Sequence, residues 1–311
     1  MQRVISTYEP SRDSPLFLYY AHQIVHVPLE VPERWLSNCS HITDAKRQTY
    51  CGMLAAVDDS LRLLVSSLQK KGIWNDTILV VTTDNGAMVD AADAFPASAG
   101  VNFPLRAGKG TVFEGGVRAI GFLQGGDNTL PSVARGQVVS EPLLHIVDWF
   151  PTLLNMTACG LALPDNLDGK DLWDVLVNNV NQTVRTVLPV NINFNISFPN
   201  SGYQVAIIQD HWKLVLQQIT GPVLLYDGWY PPPPANYTPA PPNPTPGKFL
   251  FDLAKDPNEY HNLYQQELNG RVKDLEATLH QLVSEYVPPQ QNEFHLKGMP
   301  LFHDGEWAPF I

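Results

Sequence analysis

Residues 78–122 decide the fold, and they read ILVVTTDNGAMVDAADAFPASAGVNFPLRAGKGTVFEGGVRAIGF. The run Ile78–Thr83 is apolar and β-branched, and it ends at the turn sequence Asp84-Asn85-Gly86. A short apolar run bounded by turn residues is typical of a buried strand in a parallel sheet. Ligands of open α/β sheets bind beyond the carboxyl ends of the strands. The sequence therefore predicts that Asp84 and Asn85 lie where such a sheet holds its site.

Asp84 and Asn85 are candidate ligands of a hard cation. A carboxylate oxygen beside an amide oxygen suits calcium or magnesium, which take oxygen ligands. The alternative interpretation is an ordinary Asp-Asn-Gly turn that holds no ligand. The two residues alone favour the plain turn, so the choice depends on the residues that come after them in the chain.

The segment after this turn is rich in glycine and carries Lys109. Glycines let the backbone approach a ligand closely, and a lysine supplies a point charge for an anionic oxygen. The segment is not a phosphate-binding P-loop, because Lys109 is followed by Gly110 rather than by Ser or Thr. Lys109 is therefore a candidate anion-binding residue close to a candidate cation site.

A second strand is predicted upstream, at Leu16–Ala21, and its carboxyl end leads to His22 and then to His26. Between the two strands we expect a helix that begins near Thr43 or Asp44 and closes at Gly72. The order strand, helix, strand predicts a right-handed crossover between parallel strands. The two strand ends would then converge on one site.

The sequence pattern changes from about Val187, where short predicted strands replace the alternation of strands and helices. The expected elements there are a hairpin of Tyr203–Gln209 and Trp212–Gln217, a strand at Lys248–Leu253 and a helix at Val272–Val283. Earlier in the chain we expect a strand at Arg118–Leu123 and a helix at Glu141–Leu154 that is kinked or broken at Pro151. The domains predicted from this change are residues 1–186 and 187–311.

The order TTDNG followed by PLRAGKGTVFEGGVR closely resembles the type I sulfatases, in particular their arylsulfatase B-like branch. The further matching stretches are FLYYAHQIVHVPLEVPERW, YCGMLAAVDDSLRLLVSSLQKKGIWNDTILVVTTDNG, LLHIVDWFPTLL, LDGKDLW and FLFDLAKDPNEYHNL. The resemblance runs from about Leu16 to the last residue. It implies an α/β, alkaline phosphatase-like fold with a mostly parallel sheet and helices, followed by a small antiparallel-sheet domain.

The resemblance also implies an activity, the hydrolysis of sulfate esters such as aryl or glycosaminoglycan sulfates. By resemblance Asp84 and Asn85 bind a calcium ion, and Lys109 holds a sulfate oxygen. His26, in the matched histidine loop, contacts the sulfate or assists the leaving group. The implied partner is thus a sulfated small molecule or glycan.

One departure from the family limits this interpretation. Sulfatases carry an early Cys/Ser-x-Pro-x-Arg motif whose first residue becomes formylglycine, the nucleophile, and this motif is absent here. The early aspartates that complete the family's metal site are absent as well. The chain therefore looks like the C-terminal half to two-thirds of a sulfatase, and we expect it to be inactive alone. Glu114 and Arg118 are assigned to support of the loop.

Two other functions remain open. The chain is alternatively a non-catalytic pseudoenzyme or binding module that keeps the anion pocket without a nucleophile. A phosphatase or phosphodiesterase of the same superfamily is the other alternative, although that class uses more His and Asp metal ligands than the single pair seen here.

The composition and short sequence motifs limit the classes of partner and the cellular compartments that we expect for this protein. The net charge is −11, from 20 basic and 31 acidic residues, which argues against a nucleic-acid binder. No apolar run is long enough to predict a membrane span. Six glycosylation acceptor patterns, an excess over chance, favour a lysosomal or extracellular protein, although the first residues lack a signal peptide's apolar core. Three cysteines, Cys39, Cys51 and Cys159, leave at least one unpaired.

Overall fold

The structure is a computed structural model, and it describes most of the chain. The described residues are 1–11, 14–89, 98–139, 143–157, 162–178, 183–194, 201–220, 227–232, 247–266 and 270–287. They contain a long central helix, a two-stranded sheet and a four-stranded antiparallel sheet.

The α-helices are α1 (Gln2–Thr7), α2 (Glu33–Leu36), α3 (Ala45–Lys71), α4 (Glu114–Val117), α5 (Trp149–Met156), α6 (Trp173–Asn178) and α7 (Arg271–Ser284). The strands are β1 (Ile78–Thr82), β2 (Gly121–Gly125), β3 (Val187–Asn191), β4 (Ser201–Gln209), β5 (Trp212–Thr220) and β6 (Gly247–Asp252). Short 3₁₀ helices occur at Ser37–Cys39, Trp74–Asp76, Ser132–Ala134, Ile146–Asp148 and Tyr264–Gln266. None of the described helices is long and apolar enough to cross a membrane.

Helix α3 confirms the predicted helix and both of its ends. The Asp44 side chain accepts a hydrogen bond from the Arg47 backbone N–H, which caps the first turn. Gly72 ends the helix with φ +77, a left-handed conformation that glycine adopts without a steric cost. Leu64 and Leu68 on the buried side of α3 pack against Ile5 of α1.

The strand predicted at Ile78–Thr83 forms as β1, but its expected parallel pairing is wrong. β1 pairs antiparallel with β2, so that Val80 lies opposite Leu123. The strand predicted at Leu16–Ala21 is also wrong, since that segment has no regular structure. Among the described residues, therefore, no parallel crossover joins the two segments. The reason is that strand propensity depends on the neighbouring segments: Phe17 and Tyr19 are largely exposed here, so no described strand covers this run.

Two further boundaries differ from the sequence prediction. The strand expected at Arg118–Leu123 begins only at Gly121, because Glu114–Val117 forms the short helix α4. The helix expected at Glu141–Leu154 begins at Trp149, so Pro151 lies in its first turn rather than near its middle. A proline is tolerated there because the first N–H groups of a helix have no partner within it.

The four-stranded sheet confirms the hairpin and the later strand, and its order is β3-β4-β5-β6. Every neighbouring pair is antiparallel. Asp210, in the turn between β4 and β5, adopts φ +56, which aspartate tolerates better than most residues. The sequence pattern missed β3. Most of the proline-rich segment, residues 233–246, lies outside the described residues.

Both faces of this sheet are buried. One face packs against helix α7, and its core consists of Val205, Ile207, Leu214, Leu250, Leu275 and Leu279. The other face packs against the segment around Phe113, and that core consists of Val89, Ala107, Val112, Phe113, Ala206, Val215, Tyr230 and Phe251. The second core joins residues from before and after position 187. The division into domains at that position remains a prediction.

The structure joins Cys39 and Cys51 in a disulfide, a pairing that the sequence analysis did not make. The bridge ties the 3₁₀ turn at Ser37–Cys39 to the second turn of α3. Cys159 lies outside the described residues.

Leu275→Ala tests the packing of α7. Leu275 is fully buried between the helix and the sheet, so we expect the substitution to lower the free energy of unfolding by about 2–5 kcal/mol. Val287→Ala, at a residue that is 83% exposed, is the control and should change stability little. Chemical denaturation of both variants measures the difference, and equal stabilities would contradict the assigned core.

The apolar surface of the N-terminal part predicts self-association. Phe17 and Tyr19 are 79% and 81% exposed, and they lie in a segment without regular secondary structure. We expect the isolated chain to be poorly soluble and to form oligomers in analytical ultracentrifugation. Replacing both residues by serine should lower the average mass. A monodisperse monomer at the same concentration would contradict this expectation.

Candidate active site

The turn after β1 holds two hard oxygen-bearing side chains side by side. The Asp84 Oδ1 atom accepts a hydrogen bond of 2.8 Å from the Asn85 backbone N–H. The Asn85 side-chain nitrogen donates to the carbonyl of Gly86 at 2.7 Å, which directs Oδ1 of Asn85 the other way. Asp84 is exposed and Asn85 is half-buried. The turn thus offers a carboxylate and an amide oxygen on two successive residues.

The Lys109 segment lies beside the strand-like residues that come after this turn. The Lys109 backbone N–H donates to the carbonyl oxygen of Ala87 at 3.0 Å. The side chain of Asn102 reinforces the contact, since it accepts from the N–H of Ala87 and donates to the carbonyls of Ala87 and Ala107. The structure therefore brings together the backbones of two segments in which sequence analysis placed site residues.

The same turn is in close backbone contact with the glycine pair Gly115-Gly116. The Gly86 N–H donates to the Gly116 carbonyl at 2.8 Å. A Cβ atom added to Gly86 would lie 1.8 Å from the Gly115 carbonyl oxygen, a distance that no side chain tolerates. Only glycine lets the two chain segments approach this closely. The position of the turn is therefore set by the position of Gly115 and Gly116.

His26 has local contacts. Its ring Nδ1 lies 2.9 Å from the carbonyl oxygen of Val27, and its backbone N–H donates to the Gln23 carbonyl at 3.2 Å. The side chain is exposed. These contacts orient the ring within its own loop, and the assignment of His26 to the site remains a prediction.

A buried ionic cluster lies behind the glycine pair. Lys213 of β5 is fully buried, and its Nζ atom is 2.7 Å from Oε1 of Glu114 and 2.9 Å from Oε1 of Glu259. The other carboxylate oxygen of Glu259, Oε2, accepts from the Glu114 backbone N–H at 2.7 Å. Two carboxylates from distant parts of the chain therefore share one buried ammonium group.

The electrostatics of this cluster favour a charged lysine. Burial alone would lower the pKa of Lys213. The negative charges of Glu114 and Glu259, together with their hydrogen bonds to the ammonium group, outweigh this effect. The pKa of Lys213 therefore lies above its ordinary value. Burial raises the pKa of Glu259, and Glu114 adds to this effect against the opposing influence of Lys213. The lysine thus remains a cation at neutral pH.

Arg106 forms a second link between the lysine segment and the C-terminal part. Its Nε donates to the Asp227 carbonyl at 2.6 Å, and its guanidinium lies 4.1 Å from the ring centre of Phe113. The next residue, Ala107, donates its backbone N–H to the Gly228 carbonyl at 2.7 Å. Burial lowers the pKa of Arg106, with the charge of Asp227 acting in the opposite direction.

Sequence reasoning assigned Glu114 and Arg118 to loop support, and their contacts agree with it. The Arg118 Nε atom lies 3.8 Å from the Glu114 carboxylate, and Glu114 faces Lys213. Sequence reasoning missed Lys213, Glu259 and Arg106. The signal for Lys213 was a lysine inside the apolar strand sequence WKLVL, where a charge needs a buried partner.

The oxygens at the turn fit part of a calcium shell. Calcium takes six to eight oxygen ligands, and Asp84 and Asn85 together offer a carboxylate and an amide. Within the part of the chain that the structure describes, no group of three or more His, Cys, Asp or Glu side chains could hold a metal. The donor chemistry therefore suits the ion, while the number of protein ligands at the turn is small.

The chain is similar in sequence to curated sulfatases. It is 30% identical to arylsulfatase J of Mus musculus over 331 aligned positions, which cover all of this chain and 52% of that protein. It is 36% identical to N-acetylgalactosamine-6-sulfatase of Rattus norvegicus over 171 positions, covering 54% of this chain and 29% of the relative. The chain thus spans about half the length of the first of these relatives and less of the second.

Solved structures show the same fold at lower sequence identity. The crystal structure of Ps i-CgsB superposes with a TM-score of 0.66 at 23% identity, over 89% of this chain and 51% of that one. A protein from work on glycosaminoglycan metabolism by Bacteroides thetaiotaomicron gives a TM-score of 0.59 at 18% identity, over 91% of this chain and 52% of that one. The fold is therefore the alkaline phosphatase-like fold of the sulfatases.

The family model described as Sulfatase matches residues 1–159, which include β1, the Asp84-Asn85-Gly86 turn and the Lys109 segment. This match covers just over half of the chain. The chain therefore belongs to the sulfatase family.

Proposed function

We propose that this chain forms the calcium- and sulfate-binding part of an enzyme that hydrolyses sulfate esters. The observation that carries the proposal is the backbone contact between the Asp84-Asn85-Gly86 turn and the Lys109 segment. A cation site and a lysine on neighbouring segments suit a substrate group that carries a negative charge on several oxygens.

The roles of the residues derive from their chemistry. The side-chain oxygens of Asp84 and Asn85 would hold a calcium ion, which when bound polarises a sulfate oxygen. The Lys109 ammonium group would bind another sulfate oxygen and offset the charge that develops during the reaction. The glycines of this segment leave room for the substrate close to the backbone.

His26 is proposed to act on the leaving group. If Nδ1 carries its proton toward the Val27 carbonyl, Nε2 faces outward without one and can accept a hydrogen bond. A protonated ring could instead donate to the ester oxygen as it leaves. Either role requires only that the loop of His26 lies against the bound ester.

A sulfated glycan is the proposed substrate class. The rat relative is named for N-acetylgalactosamine 6-sulfate, and one solved neighbour was determined with its substrate, D-glucosamine-2-N,6-O-disulfate. An aryl sulfate is the alternative substrate, since the mouse relative is an arylsulfatase by name.

The nucleophile of the family is formylglycine, which forms from the first residue of the Cys/Ser-x-Pro-x-Arg motif. This chain contains no such motif, so no residue in it could become formylglycine in that way. A pseudoenzyme or binding module is therefore the second candidate function, because it needs only the anion-binding residues. A phosphatase or phosphodiesterase of the same superfamily is a less well supported function, because that class uses more His and Asp metal ligands than the turn provides.

We propose the secretory pathway, ending in the lysosome or outside the cell, as the location. The disulfide between Cys39 and Cys51 suits an oxidising compartment, and three of the six acceptor asparagines, Asn38, Asn75 and Asn155, lie in the described residues. Glycosylation at these sites would be read directly by mass spectrometry of the protein made in a eukaryotic cell.

The chain expressed alone is expected not to turn over an aryl sulfate ester. The covalent step needs a nucleophile, and positioning by the remaining residues leaves little of the rate. Purified chain and its Lys109→Ala variant would be assayed side by side with a chromogenic aryl sulfate. Steady turnover that Lys109→Ala abolishes would show that the chain itself is a catalyst and would contradict the nucleophile argument.

Calcium binding by the chain is expected to be weak, with a dissociation constant of roughly a millimolar or higher, because two side chains supply few of the ligands. Calcium would be titrated while the backbone amide signals of Asn85 and Gly86 are followed by NMR. Asp84→Ala should abolish the calcium-dependent shifts, because it removes the only charged ligand of the proposed pair.

Asp127→Ala is the matched control for this titration. Asp127 is an exposed aspartate paired with Arg135 outside the proposed site, so its removal should leave calcium binding unchanged. Micromolar binding that survives Asp84→Ala would place the metal site elsewhere and would contradict the assignment.

A further inference from the structure

Lys213 connects the C-terminal sheet to the backbone that carries the site. Near the start of the interior strand β5, it lies opposite Ile208 of β4 and Phe251 of β6. Its partner Glu114 is 99 residues earlier in the chain and begins the short helix α4. A single buried ammonium group thus spans a large separation in sequence.

Glu114 is held by both its side chain and its backbone. Its carboxylate binds Lys213 at 2.7 Å, while its backbone N–H donates to Glu259 at 2.7 Å. Glu259 is itself 2.9 Å from Lys213 and is fully buried. Three polar contacts among these three residues therefore fix where α4 begins relative to the sheet.

The contacts that start at Glu114 reach the site within two residues. Gly115, the next residue, donates its N–H to the Arg106 carbonyl at 2.7 Å, and Gly116 accepts from Gly86 at 2.8 Å. A side chain at Gly86 would collide with the carbonyl oxygen of Gly115. A shift of Glu114 must therefore displace either the Asp84-Asn85-Gly86 turn or its hydrogen bond.

Stability alone does not explain a charged cluster in this place. Transferring two or more charges from water into the protein interior costs free energy. Apolar residues of similar volume often stabilise a core as much as a buried ion pair does, or more. The cluster does supply directional contacts, which fix position in a way that apolar packing does not. Positioning is therefore the property that distinguishes the charged cluster from an apolar replacement.

We propose that Lys213 is a positioning residue of the candidate site: through Glu114 it holds the Gly115-Gly116 backbone against which the calcium-binding turn is packed. This inference deepens the proposed function and rests on it for the identity of the ion. It gives the C-terminal sheet a role in the site, although the sheet contributes none of the residues proposed to touch the ion.

Two variants distinguish a role of the cluster in positioning the turn from a role in stabilising the fold. Lys213→Met combined with Glu114→Met and Glu259→Gln makes the cluster neutral at similar volume and keeps an amide oxygen at position 259 that can accept the backbone N–H of residue 114. Because apolar replacements of buried ion clusters are often neutral or stabilising, we expect this triple variant to fold with a melting temperature near that of the unchanged chain. Glu114→Met alone leaves Lys213 paired with Glu259 and should also fold. Both remove the contact from Lys213 to α4, so both should shift the Gly86 amide signal and weaken calcium binding roughly tenfold, the lower end of the range for residues that orient metal ligands.

Lys255→Met is the matched control. Lys255 is an exposed lysine that lies 3.0 Å from Asp252 at the end of β6, and its contact does not involve α4. This variant should leave the Gly86 signal and the calcium titration unchanged. A folded triple variant, or a folded Glu114→Met variant, whose Gly86 signal matches that of the unchanged chain would overturn the inference.

The two readouts distinguish this inference from the proposed function. If Asp84→Ala leaves the calcium response intact while the cluster variants still shift Gly86, the ion site is wrong and the positioning by Lys213 stands. If Asp84→Ala abolishes the response but the cluster variants leave Gly86 in place, the ion site stands and the positioning is wrong.

Discussion

The contact between the Lys213 ammonium group and the carboxylates of Glu114 and Glu259 is the constraint on which the candidate site depends. It lies in a fully buried position, where an unpaired charge costs several kcal/mol. All three groups must therefore meet whenever the protein is folded. Because Glu114 leads directly into Gly115-Gly116, this requirement also fixes the backbone beside the Asp84-Asn85-Gly86 turn.

This arrangement explains why the four-stranded sheet is buried on both faces. One face is covered by α7 through aliphatic contacts, which provide stability without a directional preference. The other face meets the segment from Val112 to Glu114 through polar contacts from Gln204 and Lys213 as well as through Phe113. Gln204 accepts a hydrogen bond from the Val112 N–H at 3.0 Å. The sheet thus acts as a support for loops that are distant in sequence.

The sequence predicted the elements that depend on local signals. Asp44 and Gly72 mark the ends of α3, and alternation of apolar residues marks the β4–β5 hairpin, because capping and strand periodicity are local properties. The candidate metal pair and Lys109 were found from residue chemistry and from the family resemblance. The structure brings the backbones of their two segments together, and their roles in the site remain proposals.

Pairing between distant segments could not be predicted in the same way. The apolar run of β1 gave its strand but not its antiparallel partner β2, and Leu16–Ala21 was assigned to a strand from the same kind of pattern without forming one. The Lys213 cluster joins three segments, so no single stretch of sequence displays it. A lone lysine in an apolar strand indicated a buried partner without identifying it.

Native-state hydrogen exchange of the unchanged chain tests the central claim, that the Lys213 cluster holds the turn in a fixed position on the C-terminal sheet. If it does, the turn and the sheet should open as one cooperative unit. Exchange of the Gly86 amide, which donates to Gly116, would be compared with that of Val215 in the middle of β5 over a series of denaturant concentrations. We expect both amides to exchange through the same opening, with equal free energies and equal dependence on denaturant. Exchange of Gly86 through a low-energy opening that does not depend on denaturant, while Val215 stays protected, would contradict this claim.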